Sequence, residues 1–294
     1  MSRILKTAVV LAALAGSQAV LASATYNFTS TGSASTTCDS FTTSCYGNTR
    51  SYTATESVSG SAISMTVKAY SNTGTASSAA TNANAVLQDA YLGYYSGGGL
   101  GITNRDQASS AGDTYENTAP EHAIDNNQRY DMALLSFSKS VTLSALSIGY
   151  APYDSDLSVW AYVGTGTPVL DGATYADLLS SASGLVSSGW IVVGNYADVG
   201  TGSEAINASK VSSSYWLIGA YNPAGTAASC GSNSSTKSAT GTAGDLDCGD
   251  DYMKLLSVSI ADQSTPTTEV PEPGTLLLTG LALAGVAANR KFRK

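Results

Sequence analysis

The residues of this chain best suited to chemistry are oxygen donors grouped in turn-prone sequence. They are Asp125-Asn126, Asp154-Ser155-Asp156 and the run Asp245-Leu246-Asp247-Cys248-Gly249-Asp250-Asp251. Calcium takes about 6–8 oxygen ligands from carboxylates, side-chain amides and backbone carbonyls. Asp125, Asn126, Asp154, Asp156, Asp245, Asp247 and Asp250 are therefore candidate calcium ligands, and calcium is the one cofactor the sequence suggests. None of the three stretches follows the spacing of a helix-flanked calcium loop, and solvated turns in an acidic protein would share their composition.

Catalysis is less well supplied. A hydrolytic triad needs a histidine oriented by a carboxylate and placed against a nucleophile. His122 is the single histidine, and no Gly-x-Ser-x-Gly turn occurs. Glycoside hydrolysis needs only two carboxylates about 5–10 Å apart. Glu116, Glu121 and Asp125 stand together in Leu100–Arg129, a long polar segment without sustained periodicity. Such a segment is uncommon unless it is functional or held by a ligand. Paired loop carboxylates are nonetheless common in an acidic chain, so no catalytic residue is assigned and a non-enzyme is expected.

Four cysteines, Cys38, Cys45, Cys230 and Cys248, remain. In an oxidising compartment an even count suggests two disulfides, with three connectivities open. Cys38–Cys45 and Cys230–Cys248 are favoured, each pair being local and flanked by turn-forming residues. Metal ligation fits poorly, since no Cys-x-x-Cys occurs and His122 is distant in sequence.

The elements that must position these groups read as strands. Along Ile63–Ala69, Ile63, Met65, Val67 and Ala69 alternate with Ser64, Thr66 and Lys68, the period of a strand with one face in a core. Ser71–Ala85 is a low-complexity loop, and a second strand is expected over Ala85–Tyr95, ahead of Gly97-Gly98-Gly99. Alternation resumes at Ala133, Leu135 and Phe137. Lys139-Ser140 reads as a turn, with Val141 and Leu143 opening a return strand. The shift of apolar phase to Leu146, Ile148 and Tyr150 places a β-bulge near Ser144-Ala145. Further strands are expected over Leu157–Val163, Gly189–Gly194, Ser214–Tyr221 and Tyr252–Ile260. Thr174 and Asp177 have capping-box spacing, which predicts one short helix over Tyr175–Leu179. Trp160, Trp190 and Trp216 each fall in a strand and are expected in the core. Many short strands and no Rossmann or P-loop glycine pattern predict an all-β fold, an antiparallel β-sandwich of jelly-roll-like type over residues 25–264.

Both chain ends carry signals that lie outside fold reasoning. Arg3 and Lys6, the apolar Thr7–Leu14 and the small-residue site Ala22-Ser23-Ala24 form a cleavable N-terminal signal peptide over residues 1–24, implying export by the general secretory route. At the other end, a polar spacer (residues 265–269) precedes Val270-Pro271-Glu272-Pro273-Gly274. An apolar run (residues 276–288) follows, and then Arg290, Lys291, Arg293 and Lys294. That run has no polar face. Gly274 to Asn289 would make about 24 Å of helix, a short transmembrane helix suited to a thin bilayer. The basic end favours cytoplasmic retention. Of the 14 basic residues six lie in these signals, and of the 22 acidic residues two, so the domain between carries a net charge of −12 against −8 for the whole chain. Nucleic acid is excluded as a partner, and anionic lipid or polysaccharide is disfavoured unless divalent cations mediate.

The motif, the marginal helix and the basic cluster, in that order at the extreme C-terminus, resemble the PEP-CTERM sorting signal over Val270–Lys294. Pro271-Glu272-Pro273 matches the name-giving motif residue by residue. The resemblance implies processing by an exosortase, a membrane cysteine transpeptidase of Gram-negative bacteria that also make exopolysaccharide. It further implies a transient inner-membrane anchor through residues 276–288 and delivery to the cell surface or matrix. A second, softer resemblance spans Gly99–Val163: Gly99-Leu-Gly-Ile-Thr103, Glu121-His122-Ala-Ile-Asp125-Asn126, Leu134–Phe137, Val141-Thr-Leu143 and Asp154-Ser-Asp156 look like the exosortase-dependent surface protein group. It implies β-rich cargo with no assigned enzymatic activity. Two function classes follow: a non-catalytic surface or matrix protein associated with exopolysaccharide and biofilm, or a displayed carbohydrate-binding module or glycoside hydrolase.

Overall fold

Alternating apolar residues close this chain into two antiparallel sheets facing each other across one core. The computed structural model describes residues 22–34, 38, 40–42, 45–57, 59–73, 85–105, 116, 118–179, 188–223, 246 and 249–261. In chain order the elements are β1 (Ala22–Asn27), β2 (Ser33–Ala34), β3 (Thr49–Thr55), β4 (Ala62–Ser71), β5 (Gln88–Asp89) and β6 (Tyr91–Tyr95). There follow β7 (Gly99–Thr103), β8 (Ile124–Asp125), β9 (Asp131–Val141), β10 (Leu143–Tyr150) and β11 (Leu157–Tyr162). Then come α1 (Tyr175–Leu179), β12 (Trp190–Tyr196), β13 (Gly202–Ala205), β14 (Ser213–Ala220) and β15 (Tyr252–Ala261). One sheet orders its strands β13-β10-β15-β7-β6, with β1 and β8 also on β15, and the other β12-β11-β14-β9-β4-β3-β2, with β5 on β4.

The second sheet is buried on both faces in its middle, which explains strands with little polar alternation. Ala133, Leu135 and Phe137 of β9, Val159 and Ala161 of β11, and Trp216 and Ile218 of β14 face the inter-sheet core. Met132, Leu134, Trp160 and Leu217, one residue out of phase, join a second cluster with Tyr175, Leu178 and Leu179 of α1. The helix therefore caps the outer face of the sheet. Its expected N-cap is present: the Asp177 N–H donates to Thr174 Oγ1 at 3.0 Å, and that hydroxyl donates to Asp177 Oδ2 at 2.8 Å. All three tryptophans are fully buried, as the strand positions predicted.

Two long apolar stretches cross between sheets, which the sequence reading missed. The stretch expected as one strand over Ala85–Tyr95 breaks at Ala90: β5 pairs with β4 in one sheet and β6 with β7 in the other. Likewise Lys139-Ser140 is no turn, because β9 continues to Val141, opposite Ser213, and Thr142 carries the chain across to β10. Ser138, Lys139 and Ser140 are exposed, and an exposed strand end has the composition of a turn. The expected irregularity is found, as a register shift between Leu143 and Ala145 against β15. Within the segment thought to lack periodicity, β7 fills the start and β8 lies near the end. Gly99 enters β7 at φ +102°, and a Cβ there would collide with the Leu255 carbonyl.

Cys38 and Cys45 form a disulfide with Cα atoms 5.5 Å apart. Cys230 and Cys248 lie outside the described residues, as do the apolar run and the basic tail. Among the described residues no helix is long and apolar enough to cross a membrane.

Candidate functional site

Four segments meet where β15 begins, and their loops bring acids together. Asp251 directly precedes β15, Asn126 follows β8, Asp154 and Asp156 lie between β10 and β11, and Asp198 follows β12. Asp156 and Asp251 are fully buried, Asp154 and Asn126 nearly so, and Asp198 is half-buried. Ligand oxygens of Asp154, Asp156 and Asp198 all lie within 4.8 Å of one another.

Backbone amides and one side-chain amide hold this junction. The Asp156 N–H donates to Asp251 Oδ1 at 2.7 Å, and the Asp198 N–H donates to Asp156 Oδ1 at 2.8 Å. The Ser155 N–H donates to Asp154 Oδ1 at 2.8 Å. Asn126 works in both directions: its Nδ2 donates to Asp251 Oδ2 at 2.7 Å and to the Tyr221 carbonyl at 3.2 Å, and its Oδ1 accepts from the Asp251 N–H at 2.7 Å. Burial, and then the neighbouring Asp156 and Asp154 carboxylates, push the Asp251 carboxyl well above the ordinary carboxylate range. A proton on Asp251 relieves part of the crowded negative charge. A divalent cation among Asp154, Asp156 and Asp198 would relieve it further.

The sequence candidates are thus only partly united. Asn126, Asp154 and Asp156 join the junction. Asp125 sits beside it on β8, accepting from the Asn127 N–H at 3.2 Å, while Asp250 accepts from Asn127 Nδ2 at 2.9 Å. Asp245 and Asp247 lie outside the described residues. Asp198 was missed as a candidate ligand, and Asp251 joins the junction through its hydrogen bonds rather than as a member of the ligand group. Asp251 stands in the acidic run Asp245–Asp251, whereas Asp198 has only the turn-like Asp198-Val199-Gly200 after a strand to mark it.

The residues considered for hydrolysis have other partners. Glu116 is fully buried and accepts from the Asn104 backbone at 2.5 Å and side chain at 2.8 Å. Glu121 accepts from the Tyr252 hydroxyl at 3.2 Å. His122 stacks on Tyr95 with ring centroids 4.4 Å apart, and burial, helped by Lys254, lowers its pKa to about 4. Lys254 is itself only 2% exposed, with Nζ 3.8 Å from the Tyr150 ring centroid and 4.8 Å from that of Tyr95. Burial lowers its pKa to about 7 against the opposing pull of Asp125.

Ten residues on from the acidic junction, β15 ends at Ala261 and the chain runs into its C-terminal signal. Residues 269–291 match the family model of the PEP-CTERM protein-sorting motif. The chain carries a PEP-CTERM sorting motif. The motif implies processing by an exosortase, and with it a secreted chain that has a transient membrane anchor and is displayed at the cell surface. No curated protein and no solved structure matches the chain.

Proposed function

We propose that this chain is a non-catalytic surface or extracellular-matrix protein of a Gram-negative bacterium, delivered by exosortase processing and retained with exopolysaccharide. In this reading residues 1–24 are the cleaved export signal, residues 276–288 the temporary inner-membrane helix, and the sandwich a jelly-roll-like cargo domain of the exosortase-dependent surface protein type. The observation that carries it is the PEP-CTERM motif set just behind the last strand of a β-sandwich. The test replaces Pro271-Glu272-Pro273 with alanines in the precursor. The variant should stay in the inner membrane with its tail attached, and normal surface delivery would remove the assignment.

Calcium belongs to the same proposal as a brace at the junction of Asp154, Asp156 and Asp198, supported by their convergence within 4.8 Å. Millimolar calcium would also let so acidic a domain approach anionic polysaccharide. The displayed carbohydrate-binding module or glycoside hydrolase has weaker support, because the three tryptophan rings are sealed in the core and Glu116 and Glu121 are engaged in internal hydrogen bonds.

A further inference from the structure

The sandwich has two unlike poles, and β15 joins them. It runs from Tyr252, at the acidic junction, to Ala261, ten residues that span about 30 Å at a rise of about 3.4 Å each. β1 lies antiparallel beside it, with Ala22 opposite Ala261 and Asn27 opposite Ser257. The chain therefore enters and leaves the sandwich at one pole, and the acids Asp154, Asp156, Asp198 and Asp251 gather at the other.

The tail-bearing pole holds a cavity of about 650 Å³, with Thr142, Ser144, Ser203, Asn207, Lys210 and Ala261 in its wall. Among the described residues Lys210 is the single charged one lining it, and the remainder are small, neutral or hydroxylated. The wall is preformed. Asn207, at φ +59°, donates through Nδ2 to the carbonyls of Leu143 at 3.0 Å and Val211 at 2.8 Å, and accepts from the Val211 N–H at 2.8 Å. The Asn207 N–H donates to the Tyr196 hydroxyl at 2.9 Å, so the loop is fastened to β12 as well.

Nine residues, Asp262–Val270, separate Ala261 from Pro271. Even fully extended they reach only about 35 Å, and any other conformation is shorter. Whatever reads the Pro-Glu-Pro element does so within about 35 Å of this pole. We propose that the pole around the Lys210 cavity is a docking surface for the outer face of the membrane-bound processing enzyme. This rests on the sorting function proposed above. The domain would be presented with its acidic junction turned away from the membrane. Charge favours that orientation, since the described residues of the cavity wall include one cation and no carboxylate, whereas the domain as a whole is strongly anionic.

The experiment follows tail removal from the full-length precursor by pulse-chase. Ser203 and Lys210 are both exposed, so Ser203→Glu with Lys210→Glu should leave the fold intact, checked by an unchanged thermal midpoint of the purified domain. Tail removal should slow at least fivefold. Adding a flexible insert of about 20 Gly/Ser residues between Thr265 and Pro266 should restore it, by freeing the motif from the altered pole. Parental rates in the double variant, or no rescue by the insert, would overturn the proposal. So would slowing that appears only in anionic and not in zwitterionic vesicles, which would assign the pole to lipid headgroups. Failure of the sorting function itself looks different: the unaltered precursor would keep its tail.

Discussion

Asn126→Ala tests whether the acidic junction braces the fold. Asn126 is 4% exposed, and its three hydrogen bonds tie the ends of β8 and β14 to the start of β15. Alanine removes all three and leaves the Asp251 N–H, one Asp251 oxygen and the Tyr221 carbonyl without this partner. A buried polar group deprived of its partner costs about 1–3 kcal/mol. Water entering the space left by the side chain offsets part of that cost, so the expected loss is about 4 kcal/mol. This is a large share of the roughly 5–15 kcal/mol that holds a domain folded. At about 2–4 °C per kcal/mol for a chain of this size, the thermal midpoint should fall by roughly 8–16 °C. Near-ultraviolet circular dichroism on the disulfide-intact domain at pH 7 would read it. Asn126→Asp should also destabilise at pH 7, because a carboxylate then faces Asp251, and its deficit should shrink as the pH is lowered. A midpoint for Asn126→Ala within about 3 °C of the parent would refute the brace, since it would mean less than about 1 kcal/mol for three buried bonds.

Calcium at millimolar concentration should raise the midpoint of the parent domain, by about 2.7 kcal/mol of added stability at a hundredfold excess over Kd, and Asp198→Asn should blunt the rise; an unchanged parent midpoint removes calcium from the proposal. Lys254 gives a pH signature. Its folded pKa of about 7 lies below the ordinary lysine value of 10.5, so above pH 7 the unfolded chain binds more protons and stability should increase with pH through about pH 9. Urea midpoints measured from pH 7 to 9 should show that rise in the parent and lose it in Lys254→Met, and identical slopes would refute the assignment. Cys38→Ser with Cys45→Ser should lower stability by about 2 kcal/mol from the lost closure of a short loop, read as a shift in urea midpoint; no shift would mean that the loop is held by its packing alone.

Local periodicity made most strands legible. Ile63–Ala69 buries Ile63, Met65, Val67 and Ala69 and turns Ser64 to solvent, as alternation demands. The Thr174 cap and the helix it starts were legible because both residues of the contact are three apart. What failed was everything set by a change of sheet. Ala90 and Thr142 cross between layers without any glycine or proline to mark the crossing, and an apolar residue reads alike whichever sheet receives it. The acidic junction was legible only in pieces for the same reason. Asn126 and Asp251 are 125 residues apart in sequence, and nothing local to either one indicates that each supplies the other's hydrogen bonds.

The position of β15 links the fold to the signal that follows it. β10 pairs along one side of it, and β1, β7 and β8 share the other. If the chain is exported N-terminus first, as proposed, that sheet stays incomplete until Tyr252–Ala261 has emerged, with the sorting motif close behind. The contacts between β1 and β15 span almost the whole domain, so they are the costliest to close in loop entropy. Asp251, directly before the strand, completes the junction with Asn126 and Asp156. The expected cleavage point after Ala24 falls inside β1, opposite Ile260. Under the proposed export signal, its removal would have to come before β15 pairs with Ala22–Ala24. The sorting motif meets the opposite situation, since it emerges only once every strand needed to fold the cargo is outside.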